Sequence, residues 1–451
     1  MKDNTILVES VKKLLRRGAT VHLLNMLVKV RAADLAEAFK SLDEEERGAA
    51  FRLLAEKATP EAAALLGAIH PAHRADLVRG MGPEDLARVL QRLPSDDMAE
   101  ILSVFGPEER DRVLSLMQKE ASEEVQDLLE YEDETAGRIM TARFLALPED
   151  TSVQEAIAAV QKAQEAEMVF YLYVTDAHGH LHGVLSLRRL LSVPPTTRLR
   201  DIMATDVISV RTETDQEELA RIVSQYDLLA VPVVDPENAL VGIVTIDDVV
   251  DVMREEATED FYKLAGTSDE ERLMKSTLRS ARVRLPWLSA AFIGGVLSAL
   301  LIHAYAPLLG RAAVLVCFIP VVLGMGGNIG TQASTIMVRG LSTGRISLRT
   351  AGGVIFKEIR IALLLGALFG ALLGAGAMAF MGLGLPGGLV VGLSLWVSMA
   401  MAATVGSVLP MFLKTIHIDP AVATSPFVTT SVDLLGLLAL FGLVGPRLVA
   451  G

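Results

Sequence analysis

Ser425-Pro-Phe-Val-Thr-Thr-Ser-Val-Asp-Leu-Leu-Gly-Leu-Leu-Ala-Leu-Phe-Gly-Leu-Val444 is an apolar run with one charge, Asp433. Crossing a bilayer takes about 20 such residues. Holding an ionised carboxylate near the bilayer centre costs on the order of 3 kcal/mol or more, so such a residue is rarely left without a partner. Arg447 stands far along the same run, roughly 21 Å away at about 1.5 Å per helical residue, and is a poor partner. Two partners remain: a cation that comes and goes, or a neighbouring helix that bonds the neutral acid. Intramembrane acids usually mark ion paths, which favours the cation.

Working outward, four more apolar spans precede this one, near Trp287–Leu309, Ala312–Val338, Ile361–Gly382 and Leu389–Leu413, with the last near Ala421–Val449. Positive charge sorts between the loops. Arg279, Arg282 and Arg284 precede the first span, Arg339, Arg345, Arg349, Lys357 and Arg360 separate the second from the third, and Lys414 separates the fourth from the fifth. The opposite loops hold little besides Arg311. This asymmetry predicts a cytosolic N-terminus and an outward C-terminus in the cell (inner) membrane. Met1–Ser10 lacks the apolar core of a signal peptide, so the polar stretch before the first span is expected in the cytosol.

The second span carries Pro320 and Gly324-Met-Gly-Gly-Asn-Ile-Gly-Thr-Gln332. Gly and Pro at this depth predict an interrupted helix whose freed carbonyls line a cavity. Close packing through small residues is the alternative. Asn328 and Gln332 tip the reading toward a pore wall.

The chain has 451 residues, 51% of them hydrophobic, and a net charge of -13. From Pro286 onward eight bases face three acids, a surplus of +5, which leaves -18 on the remainder. An acidic soluble part argues against nucleic-acid binding and suits the collection of cations. Cys317 is the only cysteine, so neither an internal disulfide nor a thiolate zinc cluster can form within the chain.

Up to about Glu130 the pattern is one of short helices with Pro-acid starts: Thr59-Pro-Glu61, Gly82-Pro-Glu-Asp85, Pro94-Ser-Asp-Asp97 and Gly106-Pro-Glu-Glu109. Their spacing suggests a small helical solenoid. A repeat follows. Arg138-Ile-Met-Thr141 returns as Asp201-Ile-Met-Ala204, and each copy continues with a helix, a strand (Phe170–Val174; Leu229–Val234), a turn, and a second strand leading into a helix (Leu181–Leu191; Leu240–Val250). This β-α-β-β-α pattern, present twice, resembles a tandem CBS-domain pair. Asp247–Arg284 reads as a long charged helix with a break near Gly266. The expected layout is thus multi-domain: an all-α helical N domain over 1–131, an α/β CBS pair over 132–253, a connecting helix over 254–284 and an α-helical membrane domain of five spans over 285–451.

Oxygen ligands with one carboxylate suit a hard cation. Magnesium sheds water reluctantly and keeps several waters, so its site should be roomy and lightly charged. Thr429 and Thr430, one turn before Asp433, put hydroxyls on its side of a helix. His303 at the outer end of the first span reads as interfacial.

Residues Pro320–Gln332, the Ser425–Gly436 segment, Glu132-Asp-Glu-Thr-Ala-Gly137 with Met140, and the domain order together resemble the MgtE-type magnesium channel/transporter family. The resemblance implies a homodimer in the lipid bilayer with its ion path between subunits and Asp433 as the pore carboxylate. It also implies Mg2+ as both substrate and regulator, with cytosolic Mg2+ closing the path through acids of the N, CBS and connecting ("plug") elements. By motif those acids are Asp96 and Glu100, Asp215 and Glu217, Asp227, Asp248 and Asp251, Glu256, Glu259 and Asp260, and Asp419. Glu100 stands where the family pattern has Asp, and Ser425 and Thr331 where it has Asn. A solvated acidic surface is the plain alternative for the cytosolic acids.

Thr245 and Asp248 together resemble the ribose and phosphate contacts of nucleotide-binding CBS pairs, whereas the first copy has Ser186 and Arg189, so at most one site for ATP or another adenine nucleotide is expected. His178, His180 and His182 alternate in a stretch that reads as an exposed hairpin turn. No nucleophile–base pair, phosphate-cradling loop or redox motif points to an enzyme. The function expected is Mg2+ uptake. The rivals are transport of Co2+, Ni2+ or Mn2+, and a membrane-anchored nucleotide sensor that moves no ion.

Overall fold

The computed structural model describes residues 2–69, 71–163, 170–268, 271, 276–307, 313–421 and 426–448. Ser425 and Arg311, read above as a pattern departure and a loop charge, lie outside them. The chain divides into two compact units, Met1–Met253 and Arg254–Gly451.

The first unit opens with ten helices among the described residues, from Lys2–Arg16 to Lys119–Glu130. Their starts follow the local chemistry. Asp43 and Glu46 form a reciprocal capping box, and Pro sits in the first turn of Thr59–Ala68, Pro83–Leu90 and Pro107–Leu114. Leu54, Leu65, Leu66, Leu90 and Leu102 are fully buried between them.

The repeat folds as two three-stranded sheets. In the first, β1 (Ala146–Pro148) lies parallel to β2 (Tyr171–Thr175), which pairs antiparallel with β3 (Leu181–Ser186). In the second, β4 (Val210–Arg211), β5 (Ala230–Val234) and β6 (Leu240–Thr245) repeat that order. Helices α1 (Val153–Lys162) and α2 (Gln216–Tyr226) follow β1 and β4, capped by Ser152 and Asp215. The repeated Ile-Met dipeptides explain themselves here. Each methionine lies over a strand glycine of the other copy, Met140 over Gly242 and Met203 over Gly183, where a Cβ would fall 2.5 Å from the sulfur. Backbone follows the same exchange: Thr141 pairs with Ile243, and Val184 with Ala204. The N-terminal helices and the second copy share one hydrophobic core, and the first copy has its own around Val153, Leu172, Leu185 and Leu199.

Helix α3 (Ile246–Ala265) follows β6 and ends where Gly266 takes φ +75°. Beyond it, α4 (Thr277–Ala304) runs through Pro286 without ending. Then come α5 (Ile319–Ser342), α6 (Ala351–Met381), α7 (Leu385–Thr415) and α8 (Pro426–Leu448). Five helices among the described residues are long and apolar enough to cross a membrane.

The second span differs from expectation. Pro320 sits in the first turn of α5, where its missing N–H costs nothing, and Gly324–Gln332 continue the same helix unbroken. The glycines pack rather than interrupt. Gly326 and Gly330 receive Val432 of α8, and Gly406 of α7 lies against the carbonyl of Gly330. Helices α6 and α7 touch backbone to backbone: a Cβ on Gly370 would fall 2.5 Å from the Gly392 oxygen, and one on Gly374 2.6 Å from that of Gly388.

Candidate functional site

Pro320, Gly324, Asn328, Thr331, Gln332 and Thr335 form one exposed face of α5. The opposite face, with Val322, Gly326, Ile329, Gly330 and Ala333, is buried against α7 and α8. Helical periodicity alone separates the two, so the small residues pack on one side, as the close-packing alternative expects, and the polar residues face outward on the other. The amides of Asn328 and Gln332 point out of the bundle at membrane depth, where lipid cannot satisfy them.

Asp433 is half-buried on α8, and no residue among those described gives it a hydrogen bond or an ion pair. The bond that a neutral, helix-bound acid would need is therefore missing. Thr429 donates to the Pro426 carbonyl of its own helix at 3.3 Å. Thr430 is used for packing: its hydroxyl and methyl stand against Gly294 of α4, where no Cβ would fit. The structure thus leaves Asn328 and Gln332 on the outer face of α5, Asp433 and Thr429 half-buried on α8, and Thr430 at the α4–α8 contact. Sequence reasoning missed three enclosed serines, Ser298, Ser334 and Ser398, and the buried Glu358 of α6. No spacing signal flags them, because their burial comes from helix packing.

At the end of α3 four charges meet. The Lys263 ammonium donates to Asp419 at 2.7 Å and lies 2.5 Å from Glu259. Burial works against that ammonium, but the hydrogen bonds to Asp419 and Glu259 outweigh it and hold its pKa above the ordinary lysine value. Asp260 is half-buried beside them. Burial first, and then the Asp419 charge, push its carboxyl above the ordinary aspartate range, against the Ser342 hydrogen bond and the pull of Lys263 and Arg339. Asp419 also accepts from the Ala421 N–H at 2.8 Å, which fixes its direction. Glu259 and Asp419 thus share one ammonium, and Asp260 lies in the field of both Asp419 and Lys263. The sequence motif named the acids and missed Lys263.

In the first unit, Arg74 donates to Asp97 at 2.8 Å and to Glu100. Burial raises the Asp97 carboxyl above its ordinary range; Arg74 pulls it down, and the charges of Asp247 and Asp251 push it up again. The Ser95–Ser103 helix thus brings its acids into the field of the first turns of α3. Asp97 and Asp247 join the expected Asp96, Glu100, Asp248 and Asp251 there. Asp215 caps α2 through the Glu217 and Glu218 N–H groups, and Asp227 ends that helix in the left-handed region at φ 52°. Glu256 lies further along α3. Among the described residues no group of three His, Cys, Asp or Glu side chains is placed to hold a metal ion.

Thr245, 4% exposed, bonds Asp248 at 2.6 Å and also Asp247, at the point where β6 enters α3. A hydroxyl and a carboxylate at a helix N-terminus suit the phosphate and ribose of a nucleotide. In the first copy Ser186 is occupied in capping Arg189 N–H at 3.2 Å. In the histidine stretch, His180 bonds Asp176 at 2.8 Å and His182 bonds Glu149 at 3.2 Å, so the imidazoles have local partners at the β2–β3 hairpin.

A bundle of five helices long and apolar enough to cross a membrane, joined to a CBS pair, defines the class: a membrane transporter that carries a CBS pair. A family model described as a divalent cation transporter, MgtE, matches residues 319–443; the MgtE intracellular N domain matches 30–134, and CBS domains match 136–195 and 199–255. The magnesium transporter MgtE of Thermus thermophilus is 42% identical over 316 residues, covering 68% of this chain and 69% of that one. The magnesium transporter MgtE of Bacillus subtilis is 37% identical, with 70% of each covered. Among solved structures, the cytosolic domain of the Mg2+ channel MgtE in complex with ATP matches 54% of this chain and 99% of its own, at 37% identity and TM-score 0.51. The soluble part of a magnesium transporter matches at 32% identity and TM-score 0.50, covering 56% and 99%. The chain belongs to the MgtE family of divalent cation transporters.

Proposed function

We propose that this chain is a magnesium-selective, channel-like transporter for Mg2+ uptake, acting as a homodimer with its N-terminus in the cytosol and its C-terminus outside. The observation that carries this reading is Asp433, unpartnered among the described residues, on a helix whose one other charge, Arg447, stands 14 residues further on. The polar outer face of α5 supports the dimer, because a second copy covering Asn328, Thr331, Gln332 and Thr335 would enclose a wet path where lipid cannot lie. Magnesium keeps its water there and meets amide and hydroxyl oxygens, with Asp433 as the one charge that attracts it.

Closure by cytosolic Mg2+ follows from the acids. Glu259, Asp260 and Asp419 repel one another, and so do the acids near Asp97; a divalent ion favours whichever arrangement brings them together, by its differential affinity for it. Moving that equilibrium from 1:99 to 99:1 takes about 5.5 kcal/mol, which several weak sites supply jointly. The domain limits 1–131, 132–253, 254–284 and 285–451 are part of this reading, as is an adenine nucleotide such as ATP at Thr245 and Asp248.

Mg2+ uptake into liposomes by the full chain, with Asp433→Ala beside it, tests the core of the proposal. The variant should lose nearly all flux. Equal filling by both would mean that the carboxylate is no part of the path, and would favour a nucleotide sensor that transports nothing. Competition by Co2+, Ni2+ and Mn2+ in the same assay separates the ions.

A further inference from the structure

Hydroxyls on helices in an apolar medium ordinarily bond back to the carbonyl four residues earlier. Thr335, Ser394, Thr404 and Ser407 do so at 2.7 to 2.9 Å. Ser298, Ser334 and Ser398 do not; their oxygens are enclosed and have no partner among the described residues. A buried polar group in that state calls for a water molecule or an ion.

Two of these three flank Asp433. Helices α4 and α8 run parallel and in step, since Gly294 faces Thr430 and, further along both, Tyr305 stacks on Phe441 with ring centroids 4.7 Å apart. Ser298, one turn past Gly294 and 9% exposed, therefore stands level with Leu434, the neighbour of Asp433. Ser398 of α7, 1% exposed, stands on the other flank. Its Oγ lies 2.9 Å from where a Cβ on Gly436 would be, and 2.9 Å from the same point on Gly326. Gly436 is one turn beyond Asp433. At about 100° per residue, Asp433 falls between the edge of α8 that meets α4, through Thr430, and the edge that carries Gly436.

We propose that Ser298 and Ser398 complete an oxygen site around Asp433 inside each chain, holding water that orients the carboxylate toward a passing hydrated Mg2+. The proposal rests on the ion-path reading above. A buried water needs two to four polar partners, and two hydroxyls with a carboxylate supply them. Each Oγ–H donates to the water, and the water donates to the Asp433 oxygens. The serines are positioning residues: they fix the direction of the carboxylate and leave the ion its own shell. Ser334 stays outside this set, because no contact brings it to Asp433.

The test is Mg2+ uptake by the full chain in liposomes across a range of Mg2+ concentrations. Ser298→Ala and Ser398→Ala remove one oxygen each and leave the packing volume nearly intact. Each should raise the half-saturating concentration about threefold, and both together about tenfold, the scale expected for hydrogen bonds in a membrane and for partners of a metal ligand. The maximal rate should hold within about twofold. Ser298→Thr keeps the hydroxyl and should restore the parent value. A double variant with the parent's half-saturating concentration overturns the proposal. So does a loss confined to the maximal rate that threonine fails to restore, which marks packing alone. Asp433→Ala in the same series separates the two levels: if it transports normally the ion path itself falls, and if it is silent while the double serine variant is normal, only the hydroxyl site falls.

Discussion

Replacing Lys263 by Met asks whether the end of α3 is held down by a tethered cation. The ammonium lies 2.7 Å from Asp419 and 2.5 Å from Glu259, and the three side chains are 28%, 37% and 41% exposed. Exposure of that order screens each pair to under about 1 kcal/mol, so the two together contribute roughly 1 kcal/mol to the docked arrangement without divalent ions. At 1.4 kcal/mol per decade, that is about a fivefold change in its population. With Mg2+ bound the sign differs. In the closure proposed above the ion takes over the same oxygens, the ammonium beside it only repels, and Lys263→Met should then cost nothing. The assay is limited proteolysis of the full chain in detergent, following cleavage within α3 across Mg2+ concentrations. The variant should be cut about fivefold faster than the parent without Mg2+ and at the parent's rate at saturation. Equal cutting without the ion would refute the latch. Loss of protection at saturating Mg2+ would refute the claim that ion and ammonium share one set of carboxylates.

Two further outcomes follow from the packing and charge described above. Asp97 has a native pKa raised chiefly by burial, so its contribution to stability is present at low pH and is lost as pH rises through the native value. Asp97→Asn should therefore flatten the acid-side gain in Tm expected of the parent between about pH 7 and pH 4, without lowering Tm at neutral pH; an unchanged pH profile would contradict this. Gly406→Ala should cost roughly 1–3 kcal/mol in detergent unfolding, because the new methyl meets the backbone of Gly330, which cannot rotate away. Gly295→Ala, with open space around its Cβ, should be neutral or stabilising by up to about 1 kcal/mol. Similar losses at both would mean that helix propensity, and not the close approach, governs these glycines.

Hydropathy made the five spans legible, because about 20 apolar residues leave a signal that local detail cannot mask. It placed the start of the third span at Ile361, whereas α6 begins at Ala351. The difference is Lys357, Glu358 and Arg360, which lower the average while remaining good helix formers. The repeat was legible for a comparable reason: each Met-over-Gly contact constrains residue identity in both copies. The α5 segment was misread in backbone. Its glycines suggested a break because Gly and Pro weaken an isolated helix, but here they let α7 and α8 approach while the polar residues fall on the other side. Lys263, Ser298 and Ser398 were not legible. Their roles depend on which helix lies beside them, and no spacing within one segment encodes that.

The glycine crossing of α6 and α7 has a mechanical consequence. With main chain lying on main chain at Gly370–Gly392 and Gly374–Gly388, and Trp396 pinned to the Leu363 carbonyl at 2.9 Å, neither helix can roll or slide without a steric collision. The pair acts as one stiff plank at the back of the bundle. On the ion-path reading proposed above, any widening of a conduit along α5 and α8 must then be taken up by those helices and α4 swinging against a stationary wall.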